Sequence, residues 1–191
     1  IKKFLKKSNG IITTAYCREN SIPTIYLTRL VDQGLLNQAA PGIYLAENGD
    51  TDELYFFQYR YKRTVYSYET ALFLLGVTDK IIQKIDVTVS RNYKFNKKNN
   101  KIKVHYVKKE WLDLGKIETR TMFGNPVRAY SYERTLCDFV LHKEEIEPEV
   151  YVQAIRSYAQ YEKRDIYLLY RIATEMGIIE KIREIIEITY E

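Results

Sequence analysis

The residues of this chain that could do chemistry are two histidines and a few carboxylates. His105 and His142 lie far apart and have no Cys or His neighbour at the spacing of metal ligands, so each is interpreted as a surface or satisfied core residue. A metal-dependent nuclease site could be imagined from four carboxylates, namely Glu69, Asp86, Glu133 and Asp138. No strand carries the carboxylate–x–Lys pair that such a site needs, and no glycine-rich phosphate loop occurs. The sequence therefore predicts no catalytic residue, no metal and no cofactor, and favours a role other than catalysis.

Cys17 and Cys137 are the two cysteines, and both lie inside predicted helices without metal-ligand neighbours. They are expected to be small buried thiols in a reducing compartment. No run of about 18 apolar residues occurs, so no membrane span is expected. The basic residues 1–7 are not followed by a long apolar core, so no signal peptide is expected either. These features predict a cytoplasmic protein.

The charges alternate in sign along the chain, although the net charge is only +5. Residues 1–46 carry six bases and two acids, and residues 47–59 carry four acids and no base. Residues 60–134 carry seventeen bases and seven acids, an excess of +10, whereas residues 135–191 carry seven bases and twelve acids. An ordinary solvated surface is the alternative, but the excess in the middle favours a basic face that binds a polyanion.

Residues 13–46 have the pattern of two short helices joined by a tight turn and followed by a two-stranded wing. In the second helix, which ends at Gly34, Leu27, Leu30 and Val31 share one face at helical spacing and should be buried. The other face and the wing expose side chains that can reach phosphates or base edges, namely Thr24, Tyr26, Thr28, Arg29, Gln33 and Gln38. The sequence predicts a winged helix-turn-helix domain over residues 1–49 that binds double-stranded DNA. Because this helix has one basic residue and the wing tip has none, a winged helix used only for protein contact is the alternative.

The acidic, turn-rich residues 47–53 are predicted to separate this domain from a second one at residues 54–191. A helix is predicted to begin after Ser67, and residues 85–90 and 101–107 alternate like the strands of an antiparallel hairpin. Short strands at 117–121 and 125–129, a helix at 131–140 and further helices from residue 148 are predicted to follow. The predicted fold class is α+β, in which the winged helix precedes an α/β domain with a small antiparallel sheet and C-terminal helices.

The segment between Asp86 and Glu110 contains no acid and many bases, with aromatic residues between them. On an antiparallel ribbon these bases would form a positive patch, contributed by Arg91, Lys94, Lys97, Lys98, Lys101 and Lys103. The winged helix is then expected to supply register and base contact, and the second domain to supply much of the attraction for phosphate.

In the order and spacing of several motifs, the chain resembles the AbiEi-type abortive-infection antitoxins of bacterial type IV toxin–antitoxin systems. The matching segments are residues 29–36 and 41–44 of the winged helix, residues 67–72 with 75–79, residues 86–89, and residues 124–127 leading to 131–138. The motif residues of the second domain are Ser67, Glu69, Thr70, Arg134 and Asp138. The last two lie one helical turn apart, which favours a structural ion pair. The wing departs from the family pattern, because it lacks the Arg common in such wings.

This resemblance implies two roles. The winged helix should bind inverted repeats in the promoter of its own toxin–antitoxin operon and repress transcription. The second domain should counter a nucleotidyltransferase-like toxin without an obligatory stable complex, in phage defence by abortive infection. Two alternatives stay open, namely a module that neutralises its toxin by direct binding and a stand-alone transcriptional regulator.

Overall fold

The structure, a computed structural model, describes residues 1–96 and 100–190. Its contacts divide the chain into two compact units. The first unit is Ile1–Lys62 together with Arg120–Val127, and the second is Arg63–Thr119 together with Arg128–Glu191. The chain therefore passes from one unit to the other three times, after residues 62, 119 and 127, and the domain limits 1–49 and 54–191 stay a prediction.

The first unit combines short helices with a three-stranded antiparallel sheet in the order β1-β3-β2. Its elements are α1 (Lys2–Leu5), β1 (Ile11–Thr13), α2 (Thr14–Glu19), α3 (Ile25–Asp32), β2 (Leu36–Ala40), β3 (Ile43–Ala46) and α4 (Glu53–Arg60). The Thr13 side chain accepts a hydrogen bond from the Tyr16 amide and so caps the start of α2. The two helices and two strands predicted within residues 13–46 are thus present at the predicted positions.

The core of the first unit forms around four fully buried apolar side chains from four of its elements, namely Ile12, Cys17, Leu27 and Leu36. Leu30 and Val31 pack against this core from the same side of α3 as Leu27. The predicted buried face of α3 is therefore confirmed. The burial of Leu27, Leu30 and Val31 fixes the rotation of α3 about its axis. It therefore also determines which residues of α3 face the solvent.

The second unit is a five-stranded sheet with helices, and the strand order is β6-β5-β4-β8-β7. Its first elements are β4 (Val65–Tyr66), α5 (Tyr68–Leu74), β5 (Ile85–Ser90), β6 (Ile102–Val107), α6 (Lys109–Leu112), β7 (Lys116–Arg120) and β8 (Pro126–Tyr130). The helices α7 (Tyr132–Leu141), α8 (Pro148–Gln160), α9 (Ile166–Glu175) and α10 (Ile179–Tyr190) follow, with a 3₁₀ turn at Lys143–Glu145. The expected mixture of helices and strands and the C-terminal helices are present. The small antiparallel sheet lies in the first unit, whereas it was predicted for the second domain, whose sheet has five strands in mixed directions.

The predicted antiparallel hairpin of residues 85–90 and 101–107 is wrong, because β5 and β6 pair in parallel. Ile85 lies opposite Ile102 and Ser90 opposite Val107. Alternating side chains give the same sequence pattern in parallel and in antiparallel strands. The segment between β5 and β6 is also long enough for the chain to return to the level at which β5 starts. The sheet is mixed, since β4 pairs antiparallel with β5 and parallel with β8.

Helix α7 is the central helix of the second unit, and its residues 132–140 are all buried. The Ser131 side chain caps its start by accepting a hydrogen bond from the Arg134 amide. Tyr132 donates a hydrogen bond of 2.6 Å to the carbonyl of Ala154, and Phe139 packs into the same apolar cluster. No described helix is long and apolar enough to cross a bilayer.

Candidate nucleic-acid interface

Helix α3 presents a polar face to solvent on the side opposite its core. Thr24, Tyr26, Thr28, Arg29 and Gln33 are all exposed there, and Gln38 is exposed on β2. Tyr26 is 46% exposed, and the Arg29 guanidinium lies 5.7 Å from the centre of its ring. This is within the range of a cation–π contact, which restrains the Arg side chain on the helix surface. All six residues predicted for DNA contact in the first unit are therefore accessible in the structure.

Two apolar side chains missed by the sequence reasoning border this polar face. Ile25, the first residue of α3, is 52% exposed, and Leu35, between α3 and β2, is 50% exposed. Apolar side chains next to hydrogen-bonding ones suit the major groove, because the thymine methyl group lies beside base-edge donors and acceptors. Ile25 and Leu35 could equally contact a partner protein, so a winged helix used for protein contact stays an alternative.

The turn between β2 and β3 is held against the body of the first unit. Gly42 has φ +78°, and a Cβ there would lie 2.8 Å from Thr14 Oγ1 and 3.3 Å from Tyr59 Oη. The Thr14 and Tyr59 hydroxyls are 3.2 Å apart, and the Ala15 amide donates a hydrogen bond to Tyr59 Oη. This turn carries no charged side chain. It therefore offers backbone groups and no positive charge to a polyanion.

Helix α1 carries a group of lysines that the sequence reasoning left without a role. Phe4 stacks on Tyr16 with 3.5 Å between ring centroids, which attaches α1 to α2. Four lysines are exposed on α1 and just after it, and none has an ion-pair partner among the described residues, namely Lys2, Lys3, Lys6 and Lys7. They are the densest cationic group described in the first unit and could attract phosphates there. Their sequence signal was the run of basic residues at the start of the chain.

The basic residues predicted in the second unit are exposed but not gathered at one point. Arg91, Lys94, Lys101 and Lys103 are on the surface, while Lys97 and Lys98 lie outside the described residues. The Arg91 amide bonds to the Val107 carbonyl at one end of β6, and the Lys101 carbonyl accepts from the Ile85 amide at the other end. The length of β6 between these points is roughly 20 Å. The bases thus extend along the edge of the sheet instead of forming a compact hairpin tip.

The motif residues of the second unit form structural contacts around α5 and α7. Thr70 Oγ1 accepts a hydrogen bond from the Asp86 amide and joins α5 to β5. Glu69 forms an ion pair with Lys80 at 3.2 Å. Ser67 is buried at the start of α5, and its hydroxyl has no hydrogen-bond partner in the part of the chain that the structure describes. The motif therefore joins a helix to the sheet, and only Glu69 of these three residues is partly exposed.

Arg134 and Asp138 form the buried ion pair expected from their spacing, with 3.1 Å between Arg134 Nε and Asp138 Oδ1. Arg134 Nη1 also donates hydrogen bonds to the carbonyls of Trp111 and Leu114, and its guanidinium lies 4.2 Å from the centre of the Tyr130 ring. Asp138 Oδ2, in contrast, has no hydrogen-bond partner among the described residues. Burial raises the pKa of Asp138, and the neighbouring Arg134 offsets this rise only in part.

A second buried polar pair lies between β5 and β6. His105 Nε2 is 2.7 Å from Asp86 Oδ1, and both side chains are nearly inaccessible to solvent. The ring of Tyr68 stacks on His105, with 3.8 Å between ring centroids. Sequence spacing could not reveal this group, because the parallel register of β5 and β6 brings His105 next to Thr88, two residues from Asp86. Within residues 1–96 and 100–190, no cluster of His, Cys, Asp and Glu has an arrangement suited to a metal ion.

Comparisons with known proteins place the N-terminal segment in a regulatory context. Residues 1–46 match the model of a family described as "Transcriptional regulator, AbiEi antitoxin". The resemblance to AbiEi antitoxins is thereby confirmed for this segment, and it supports a role as an antitoxin or transcriptional regulator. This family is regulatory and is not a class of enzymes.

A solved structure has a fold similar to that of most of this chain. The crystal structure of the RV2827C protein from Mycobacterium tuberculosis matches with a TM-score of 0.54 and 14% sequence identity, over 90% of this chain and 69% of that chain. At this identity the likeness shows the fold alone. No curated protein matches the sequence.

Proposed function

We propose that this protein is the antitoxin of a type IV toxin–antitoxin system and represses its own operon. The first unit is a winged helix-turn-helix that reads inverted repeats in the promoter through α3. The second unit counters a nucleotidyltransferase-like toxin without needing a stable complex with it. The observation that carries the proposal is the exposed polar face of α3, which lies within the segment that matches the AbiEi family.

The element order supports a recognition role for α3. Helices α2 and α3 are joined by a short turn in which Ser21 has φ +55°, and β2 and β3 follow α3 directly. In helix-turn-helix proteins the second helix enters the major groove and its outward side chains contact base edges. Arg29 can form a bidentate contact with a guanine, and Gln33 can do so with an adenine. Each such pair would discriminate against a wrong base by about 1–3 kcal/mol.

The phosphate attraction in this proposal comes from exposed bases outside α3. The lysines of α1 supply it in the first unit, and Arg91, Lys94, Lys101 and Lys103 supply it in the second. Non-specific attraction of this kind falls steeply with salt, because bound phosphates release counterions.

The role against the toxin rests on the family resemblance and on the second unit being a separate compact unit. If the two roles are separable, a substitution should be able to remove one role and leave the other intact. Variants in α3 should affect DNA binding alone, because their side chains point away from the core of the first unit.

The experiment combines Tyr26→Ala with Arg29→Ala and uses Arg171→Ala as the control, because Arg171 is also an exposed arginine on a helix. Binding to the protein's own promoter is measured by mobility shift, and toxin neutralisation by growth of cells that express the toxin encoded beside it. The double variant is expected to lose operator binding and to neutralise the toxin normally, while the control does both. Failure of a folded double variant to neutralise the toxin would show that the two roles are not separate.

The alternative is a first unit that binds the toxin instead of DNA, and the half-exposed Ile25 and Leu35 favour it. In that case the wild-type protein would not shift promoter DNA, and it would co-purify with the toxin. Leu35→Ser would then weaken co-purification, whereas the antitoxin proposal predicts no stable complex to weaken.

A further inference from the structure

We propose that the outward side of β6, called here the β6 edge, binds an extended acidic segment of another protein as an added strand of the sheet. β6 is the last strand in the order β6-β5-β4-β8-β7, so within the described residues one of its two sides has no neighbouring strand. A strand in this position presents a row of backbone N–H and C=O groups with which another chain can pair. Extended peptides use such edges in protein recognition. This binding does not depend on the DNA-binding role proposed above.

The pairing of β6 with β5 identifies the backbone groups that the β6 edge offers. The carbonyls of Lys101 and Val107 accept hydrogen bonds from β5 at the two ends of β6, each with a length of 2.8 Å. Backbone groups alternate in direction along a strand, so those of Ile102, Val104 and Tyr106 point away from β5. No hydrogen bond to these groups occurs in the part of the chain that the structure describes. These three residues therefore offer their N–H and C=O groups to an added strand.

The charge beside the β6 edge favours an acidic partner. Residues 87–109 contain no Asp and no Glu. Four lysines in and just next to β6 are exposed, namely Lys101, Lys103, Lys108 and Lys109. These lysines oppose pairing with a second copy of this chain, because the copy would bring the same charges to the shared edge. An acidic strand would instead form cross-strand pairs of opposite charge, which stabilise strand pairing.

The two faces of β6 predict the sequence pattern of the bound segment. Side chains alternate along a strand, so Lys101 and Lys103 lie on one face, and Ile102, Val104 and Tyr106 lie on the other. Tyr106 is 46% exposed, and Ile102 and Val104 are partly exposed. Residues that lie opposite each other in neighbouring strands point to the same face. The bound segment should therefore alternate acidic side chains, beside the lysines, with apolar ones, beside the apolar face.

Fluorescence anisotropy with the full-length protein tests the proposal, and the probe is a labelled peptide of about eight residues that alternates Glu and Val. One comparison peptide has Lys in place of Glu. Two others keep the Glu/Val sequence and carry N-methyl groups, either on the Val amides or on the Glu amides. In an antiparallel added strand the Val amides would face β6, whereas in a parallel one the Glu amides would. The methylated peptides therefore test backbone pairing at constant charge.

The protein variants change the β6 edge at a single position. Val104→Pro removes an outward N–H group without removing a hydrogen bond to β5, and proline is tolerated at such positions of edge strands. Val104→Thr is the matched control, because it keeps the N–H group and the branched shape. Val104→Pro should weaken binding of the Glu/Val peptide by about tenfold, and Val104→Thr should change it by less than about twofold.

The Glu/Val peptide is expected to bind the wild type with a dissociation constant of about 1 mM or tighter. The Lys/Val peptide and one of the two methylated peptides should each bind at least about tenfold more weakly. Absence of binding by the Glu/Val peptide, or equal binding by the Lys/Val peptide, would overturn the proposal. Equal binding by both methylated peptides would show attraction by charge alone and would also overturn it. Self-association of the wild type that Val104→Pro abolishes would assign the edge to a second copy instead.

Double-stranded DNA is the other polyanion that the lysines of β6 could attract. Phosphates contact lysine side chains, whereas an added strand needs the outward amides. Val104→Pro should therefore bind a scrambled DNA duplex as tightly as the wild type does, which also shows that the variant is folded. If Val104→Pro loses both ligands, the variant is misfolded, and the methylated peptides decide the outcome on the wild-type protein alone.

Discussion

Replacing Arg134 and replacing Asp138, the two members of a buried ion pair, should lower the free energy of unfolding by different amounts. Arg134 keeps two carbonyl acceptors and the Tyr130 ring when Asp138 is neutralised. Among the described residues, Asp138 Oδ1 accepts a hydrogen bond from Arg134 Nε, and Asp138 Oδ2 has no hydrogen-bond partner. Arg134→Met therefore leaves a buried carboxylate without a counter-charge, whereas Asp138→Asn leaves an arginine that is still hydrogen-bonded.

The expected losses in the free energy of unfolding follow from these contacts. Removing one member of a buried pair and stranding the other costs about 3–5 kcal/mol, which is the loss expected for Arg134→Met. Asp138→Asn leaves the buried Arg134 guanidinium without its counter-charge, but Arg134 keeps two carbonyl acceptors and the Tyr130 ring, so a smaller loss of about 1.5–3 kcal/mol is expected. Urea unfolding followed by circular dichroism measures both free energies, with the wild type as reference. Equal losses for the two variants would refute this reasoning.

The pH dependence of the stability of Asp138→Asn, relative to the wild type, is a second test of this pair. Burial raises the pKa of Asp138 above its ordinary value of 3.8 in spite of Arg134. A carboxyl group that holds its proton more tightly when folded contributes stability below its unfolded pKa, and that contribution is lost as the pH rises through the folded pKa. Because Asn does not titrate, the stability deficit of Asp138→Asn should shrink as the pH rises above about 4. A deficit that grows with pH would mean that the attraction of Arg134 outweighs burial.

Three further predictions concern a turn, a base and a thiol. Gly42→Ala should destabilise the first unit more than Gly34→Ala, by about 1–3 kcal/mol in thermal unfolding, because both have positive φ but only the Cβ at Gly42 would collide with Thr14. Lys94→Gln should reduce the slope of log affinity against log salt for promoter DNA by about one unit, and an unchanged slope would exclude a phosphate contact there. Burial raises the pKa of the Cys137 thiol, so a thiol reagent should label it only after unfolding, at neutral pH as well as at mildly alkaline pH.

The elements of the first unit were predictable because their signals are local. Thr13 caps α2, and the apolar spacing around Leu27 identifies the buried face of α3 and hence its exposed face. The same holds for Ser131 at the start of α7. Capping and helical periodicity act over a few residues, so the sequence alone contains the information needed to place them.

The contacts of the second unit depend on strand pairing, which is not local. Alternating strands at residues 85–90 and 102–107 fit either direction, so the parallel pairing and the separation of Arg91 from Lys101 could not be anticipated. His105 was interpreted as a surface or satisfied core residue, and its contact with Asp86 makes it a satisfied core residue. The left-handed backbone of Tyr68 has no sequence signal, because bulky residues rarely adopt it.

The central claim is that α3 reads a base sequence in the promoter. The most direct measurement is the affinity of the wild type and of Arg29→Ala for the promoter duplex and for a scrambled duplex of the same length and composition, at one physiological salt concentration. The wild type is predicted to prefer the promoter by at least about 10³-fold, and Arg29→Ala to reduce this preference by about tenfold or more. Equal binding of both duplexes by the wild type, or a preference that Arg29→Ala leaves unchanged, would contradict the assignment of α3 as the recognition helix.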